Sequence, residues 1–134
     1  MSEALVEARR WLDAAREDLA AARHLAAGGF HAPACFHSQQ AAEKAVKALH
    51  YAHGARAVLG HNVRALIEQL VPPHAPLGAL LDAGRDLDLL YLPARYPNGL
   101  DRGTPAEAFG EAQSQRAQQL AAAIVEAASE ALTA

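Results

Sequence analysis

The amino-acid sequence predicts an all-α protein, an up-and-down antiparallel four-helix bundle with one additional short helix. Three observations lead there. Apolar residues return at helical spacing through most of the chain, and no alternating strand pattern appears anywhere. Hydrophobic residues make up 51% of the sequence but aromatics only 5%. Alanine supplies much of that apolar fraction, which suits close helix packing better than a sheet. Glycines and prolines cluster between the periodic stretches, where helices stop.

The elements follow in order. Residues 3 to 27 carry Leu5, Ala8, Leu12, Ala15, Leu19 and Ala22 as one apolar stripe, and Gly28-Gly29 stops the helix. Trp11 sits beside this stripe, at one end of the core or on a dimer surface. A second helix runs from Ala32 to His53, with Pro33 in its first turn, where a missing N–H costs nothing, and Gly54 beyond its end. A short third helix is expected over 61 to 71, where Val63, Leu66, Ile67 and Leu70 share a side and Pro72-Pro73 breaks the pattern. The fourth is expected over 76 to 92, carrying Leu77, Leu80, Leu81, Leu87 and Tyr91. Residues 93 to 103 hold two prolines and two glycines and cannot be regular. Thr104-Pro105-Ala106-Glu107 then reads as an N-cap, a proline at the first helical position and a capping-box glutamate, opening a last helix that continues almost to the C-terminus.

Bulk properties narrow the function. The 134 residues amount to one domain, 1–134, long enough for a core without disulfide or metal support. The single cysteine, Cys35, leaves no internal disulfide and fits a reducing cytoplasm. No signal peptide or membrane-spanning run is visible, so a cytoplasmic protein is expected. A net charge of -3 argues against wrapping nucleic acid nonspecifically, so any RNA contact has to be a local patch. Nothing resembles a phosphate-cradling glycine loop, so the chain alone is neither an NTPase nor a transferase. His50, His53 and His61 are the one conceivable metal set, but no carboxylate pair or cysteine supports it, and no metal or cofactor is expected.

Chemistry concentrates in the second helix. Gln39, Gln40, Glu43, Lys44 and Lys47 place a polar run where a helix interior has no need of one. Glu43 and Lys47, four apart in the favourable order, read most simply as a surface ion pair worth roughly 0.3–0.5 kcal/mol. Gln39 or Gln40 reads as a buried amide fixing register across to another helix. In the loop after the fourth helix, Arg95 offers a planar fork and Tyr96 a stacking face, and a pairing of Arg95 with Glu43 or an aspartate would lock that loop to the second helix. His61 and Asn62 read as caps of the short helix, Asn62 the stronger type, with packing as the other structural role for His61 and a ligand-facing imidazole as the functional one.

Three segments carry a family resemblance: the run from Gly29 to Leu49 that includes Cys35-Phe36-His37-Ser38-Gln39-Gln40-Ala41-Ala42-Glu43-Lys44, then Gly60-His61-Asn62-Val63-Arg64, then Tyr91-Leu92-Pro93-Ala94-Arg95-Tyr96-Pro97-Asn98. In this order and spacing they resemble a HEPN domain of the small prokaryotic type, over nearly the whole chain. The resemblance implies a helical bundle that usually dimerises. It also implies a role in nucleotide or RNA biology, often beside a separately encoded minimal nucleotidyltransferase in a toxin–antitoxin-like pair. On that reading Arg95 and Lys44 contact phosphate, Tyr96 stacks on a base, Gln40 reads a polar edge and Lys47 completes the ligand-binding set, with Gln39, Glu43, His61, Tyr91 and Asn98 in support. The Arg-(four to six residues)-His motif of HEPN ribonucleases is missing beyond Arg95, and the match from Arg56 to His61 falls in the wrong loop. The resemblance therefore implies binding without cleavage on this chain's own account. A metal-independent endoribonuclease with a displaced site, for instance Arg95 brought to His61, is the enzyme alternative. A dimerisation scaffold without ligand is the third.

Overall fold

The computed structural model describes residues 2–133, and all regular structure among them is helical. Three long helices form its frame: α1 (Glu3–Ala27), α2 (His31–Ala52) and α7 (Glu111–Thr133). Between α2 and α7 lie four short ones: α3 (Val63–Glu68), α4 (Ala75–Gly78), α5 (Leu81–Asp88) and α6 (Pro105–Ala108), with a single 3-10 turn at Pro97–Gly99. α2 is the central element, packed on α1 along one flank and α7 along another, with α3, α5 and α6 closing the remaining side.

The ends of the long helices follow the sequence signals closely. Ser2 Oγ accepts the amide of Leu5 at 3.1 Å and caps α1. α1 ends in a Schellman motif: Phe30 N–H donates to the Leu25 carbonyl at 2.8 Å and Gly29 N–H to Ala26 at 3.0 Å, with Gly29 at φ +85°. α2 ends the same way, with Ala55 N–H on the His50 carbonyl, Gly54 N–H on Tyr51 and Gly54 at φ +99°. A residue with a Cβ is strained at either position.

Two elements differ from the reading of the sequence. The fourth helix does not run unbroken from 76 to 92. It divides at Ala79-Leu80, where Leu80 leaves helical dihedrals (φ -110°, ψ 20°), and α5 stops at Asp88, followed by turns. Leu77 and Leu87 are both fully buried, but one straight helix does not keep both on the bundle. The last helix is also interrupted. Thr104 caps α6 as expected, accepting from Glu107 N–H and donating to the Glu107 carboxylate. Phe109 is then extended (φ -113°, ψ 113°), and α7 restarts with Gln113 Oε1 accepting Gly110 N–H at 2.8 Å.

The core is built of small residues on the long helices: Ala8, Ala15 and Ala22 on α1, Ala41, Ala45 and Ala48 on α2, Ala121 and Ala128 on α7, with larger packing from Leu12, Val46, Leu87 and Ile124. Cys35 is wholly buried among them, and burial pushes its thiol up to about 11, so it is a core residue and no nucleophile. Trp11 stacks on Tyr51 with ring centroids 5.2 Å apart and donates its indole N–H to Glu7, tying α1 to the end of α2.

Candidate functional site

Because α2 is central, its polar residues cannot all reach solvent. Glu43 and Lys47 are not a surface pair. Their side chains are 5% and 7% exposed, with Lys47 Nζ 3.1 Å from Glu43 Oε2. The expectation of a surface ion pair fails because α1, α3 and α5 cover that face. A buried pair of this kind contributes little net stability but is costly to break. Glu43 has a second partner: its Oε1 accepts His61 Nδ1 at 3.1 Å. Gln39 is fully buried and behaves as a register amide, donating to the His61 carbonyl at 2.8 Å while its own Oε1 accepts from Gln40. Together these residues fasten the segment before α3 onto α2 by both its backbone and its side chain.

The other anchor of that segment is Asp88, at the end of α5. Its carboxylate accepts Val63 N–H at 2.7 Å and Arg64 N–H at 3.1 Å, capping the first turn of α3, while Asn62 caps Ala65 N–H at 2.7 Å. His61 is thus no cap: its carbonyl and ring are held by α2. Burial raises the Asp88 pKa above 3.8, against the lowering effect of the two amides and Gln39, and the charge of Glu43 raises it further. A carboxyl raised in the folded state contributes stability that is fully present below the unfolded value of 3.8 and lost as pH rises through the folded value. We therefore expect the stability of the native chain, relative to Asp88→Asn, to fall as pH rises through the range just above 3.8, read as denaturation midpoints across pH.

On the outer side of this network lies an aromatic arrangement. The His61 ring is 59% exposed and stacks on Tyr91, centroids 4.9 Å apart and planes 15° from parallel. The Arg95 guanidinium lies 4.3 Å from the centre of the same Tyr91 ring, 4.5 Å from Phe36 and 5.0 Å from Tyr96. Arg95 Nε donates to the Tyr91 carbonyl at 3.0 Å. Among the described residues no carboxylate pairs with Arg95, so the loop is held to α2 by stacking on Phe36 and not by an ion pair with Glu43 or an aspartate.

The structure therefore brings Gln39, Gln40, Glu43, Lys47, His61, Tyr91 and Arg95 into one connected set. Tyr96 and Asn98 stand exposed at its edge. Lys44 lies apart: its ammonium pairs with Asp18 of α1 at 2.6 Å, and Asp18 also holds His37 at 3.1 Å. His50 is bound through Nε2 to the Leu66 carbonyl, which ties α2 to α3. Asp18, Asp88 and Phe36 were not singled out by the sequence, since each looks like an ordinary helix residue until α1, α5 and the loop are folded against α2.

Fold and site together define a small helical-bundle domain whose central helix presents a polar network beside an Arg-Tyr loop. The HEPN domain model matches residues 8–132, and the chain belongs to that family. The crystal structure of TT1696 from Thermus thermophilus is 36% identical and superposes with a TM-score of 0.85, over 92% of this chain and 97% of that one. The crystal structure of ST0689, an archaeal HEPN homologue, is 33% identical with a TM-score of 0.77, over 94% and 98%. No curated protein matches the chain. No helix of the described residues is long and apolar enough to cross a membrane.

Proposed function

We propose that this chain is a nucleotide- or RNA-binding HEPN domain whose primary phosphate contact is Arg95. The observation that carries the reading is the state of that guanidinium: held over three aromatic rings, fixed through Nε to a backbone carbonyl, and without a carboxylate. A pre-oriented fork of this kind matches a phosphate with little further ordering. Tyr96 beside it offers a face for a base, and Gln40 a polar edge near the same network. Lys44 belongs to a second, weaker contact, since Asp18 already holds its charge. The domain acts in the cytoplasm as a homodimer alongside a separate minimal nucleotidyltransferase; family membership supports this part of the proposal. Arg95→Ala is expected to weaken nucleotide or short-RNA binding by about tenfold or more, and Lys44→Ala by less, in fluorescence anisotropy at fixed salt. Unchanged affinity in Arg95→Ala would remove the assigned site. Co-purification of a small nucleotidyltransferase in stoichiometric amount tests the partnership, and light scattering tests the dimer.

A second reading, metal-independent RNA cleavage, is favoured by one specific observation. His61 and Arg95 both lie against Tyr91, and buried Glu43 accepts from His61 Nδ1, which leaves Nε2 as the outward nitrogen. A carboxylate–imidazole pair in that order is a general base with a fixed tautomer. In such a step His61 Nε2 takes the 2′-hydroxyl proton as the 2′-oxygen bonds to phosphorus. The bond from phosphorus to the 5′-oxygen breaks, water protonates the leaving oxygen, and Arg95 offsets the charge gathering on the phosphoryl oxygens. Purified protein should then cut RNA in the presence of chelator and His61→Ala should not. RNA left intact by the native chain excludes this reading while leaving binding untouched.

A further inference from the structure

On the far side of Arg95 from the polar network lies a cavity of about 560 Å³, within the size range of small-molecule sites. It sits where the start of α2, the 94–95 turn and the α6–α7 junction meet. The chain has three phenylalanines, and all three, Phe30, Phe36 and Phe109, line this cavity. None of them is fully buried, and Phe30 is 62% exposed. In a sequence so poor in aromatics, all three rings gather around this space, Phe36 and Phe109 backed by the core and Phe30 standing open to solvent. No aspartate or glutamate lines the cavity. Its polar side chains are Arg95 and His31, and His31 is anchored through Nδ1 to Ser114 Oγ at 2.7 Å.

We infer that this cavity binds a small organic acid, a planar apolar body seated among the three phenylalanines with its carboxylate on Arg95. Apolar walls with a single cationic fork suit that class. A nucleobase would bring several hydrogen-bonding edges that this lining leaves unmatched, and an unmatched buried polar edge weakens binding. The inference does not rest on nucleotide binding, since the cavity and its lining stand without it.

The test is an NMR titration of the whole chain with 2-naphthoate, against 2-naphthalenemethanol as a neutral body of the same shape. Naphthoate should saturate in the sub-millimolar range with shifts confined to the Phe30, Phe36, Ala94 and Phe109 surroundings. The alcohol should bind at least tenfold more weakly, and Arg95→Gln should abolish the difference. Ala106→Trp fills the cavity from an exposed rim position and leaves Arg95 and its rings unsubstituted. It should eliminate naphthoate binding while circular dichroism stays helical, so it decides the matter even if Arg95→Gln unfolds. Equal binding of acid and alcohol, shifts centred elsewhere, undiminished binding in Ala106→Trp, or tighter binding of adenosine monophosphate through the same residues would each overturn the inference.

Discussion

Glu43→Ala is expected to destabilise the domain by about 3–5 kcal/mol, the range for removing one partner of a buried ion pair. For a domain of this size that lowers the melting temperature by roughly 10–20 °C. The loss comes less from the missing attraction than from what is left behind. The Lys47 ammonium remains almost wholly buried, with only the Trp11 ring, 5.7 Å from Nζ, to interact with its charge. The His61 ring loses its anchor. If this account is right, Glu43→Leu with Lys47→Met removes both charges and restores most of the stability, since apolar replacements of a buried pair are often neutral or better. A double variant no more stable than Glu43→Ala alone, in chemical denaturation, would show that the carboxylate supports the fold by some other route. Recovered stability with lost ligand binding would mean that the network is kept for the position of His61.

Much of the fold was legible in the sequence because helix ends are written locally. Gly29, Gly54 and the Thr104–Glu107 box each act within five residues, and each sits where its side chain or dihedral freedom demands. The break at Ala79-Leu80 was not legible. Leu77, Leu80, Leu81 and Leu87 keep an acceptable helical period on paper, and only the bundle shows that Leu77 and Leu87 must reach the core from two differently directed segments. The site divides along the same line. The residues that carry it were visible as a polar run out of place on an apolar helix. The burial of Glu43 and Lys47 was not, because spacing of four is equally the mark of an exposed pair; they go inside only because α1, α3 and α5 close over that face of α2. The stacking of Arg95 on Phe36 joins residues 59 positions apart, and no periodicity reports that.

Gly84 has the second large effect, although it belongs to neither the polar network nor the cavity. α5 and α3 approach so closely there that a Cβ at position 84 would stand 3.1 Å from Arg64 N, 3.3 Å from Arg64 Cα and 3.3 Å from Val63 Cγ1. Two of these atoms are backbone in the first turn of α3, whose amides are held by Asp88 one turn further along α5. Gly84→Ala adds these three tight contacts and gains up to about 1 kcal/mol of helix propensity, so the net change should stay within about 1 kcal/mol. Gly84→Leu cannot be accommodated by a few tenths of an ångström. It forces α3 away from α5, which adds about 1–3 kcal/mol of overpacking to the loss of the Asp88 caps, for a total of roughly 3–5 kcal/mol. The displacement carries His61 with it, because His61 directly precedes Asn62 and α3. The stacking on Tyr91 and the bond to Glu43 should both fail, visible as ring-current changes on the His61 protons by NMR. Gly84→Leu unfolding at the same denaturant concentration as Gly84→Ala would show that α3 yields freely, and that Asp88 and Gln39 do not hold the segment rigidly against α2.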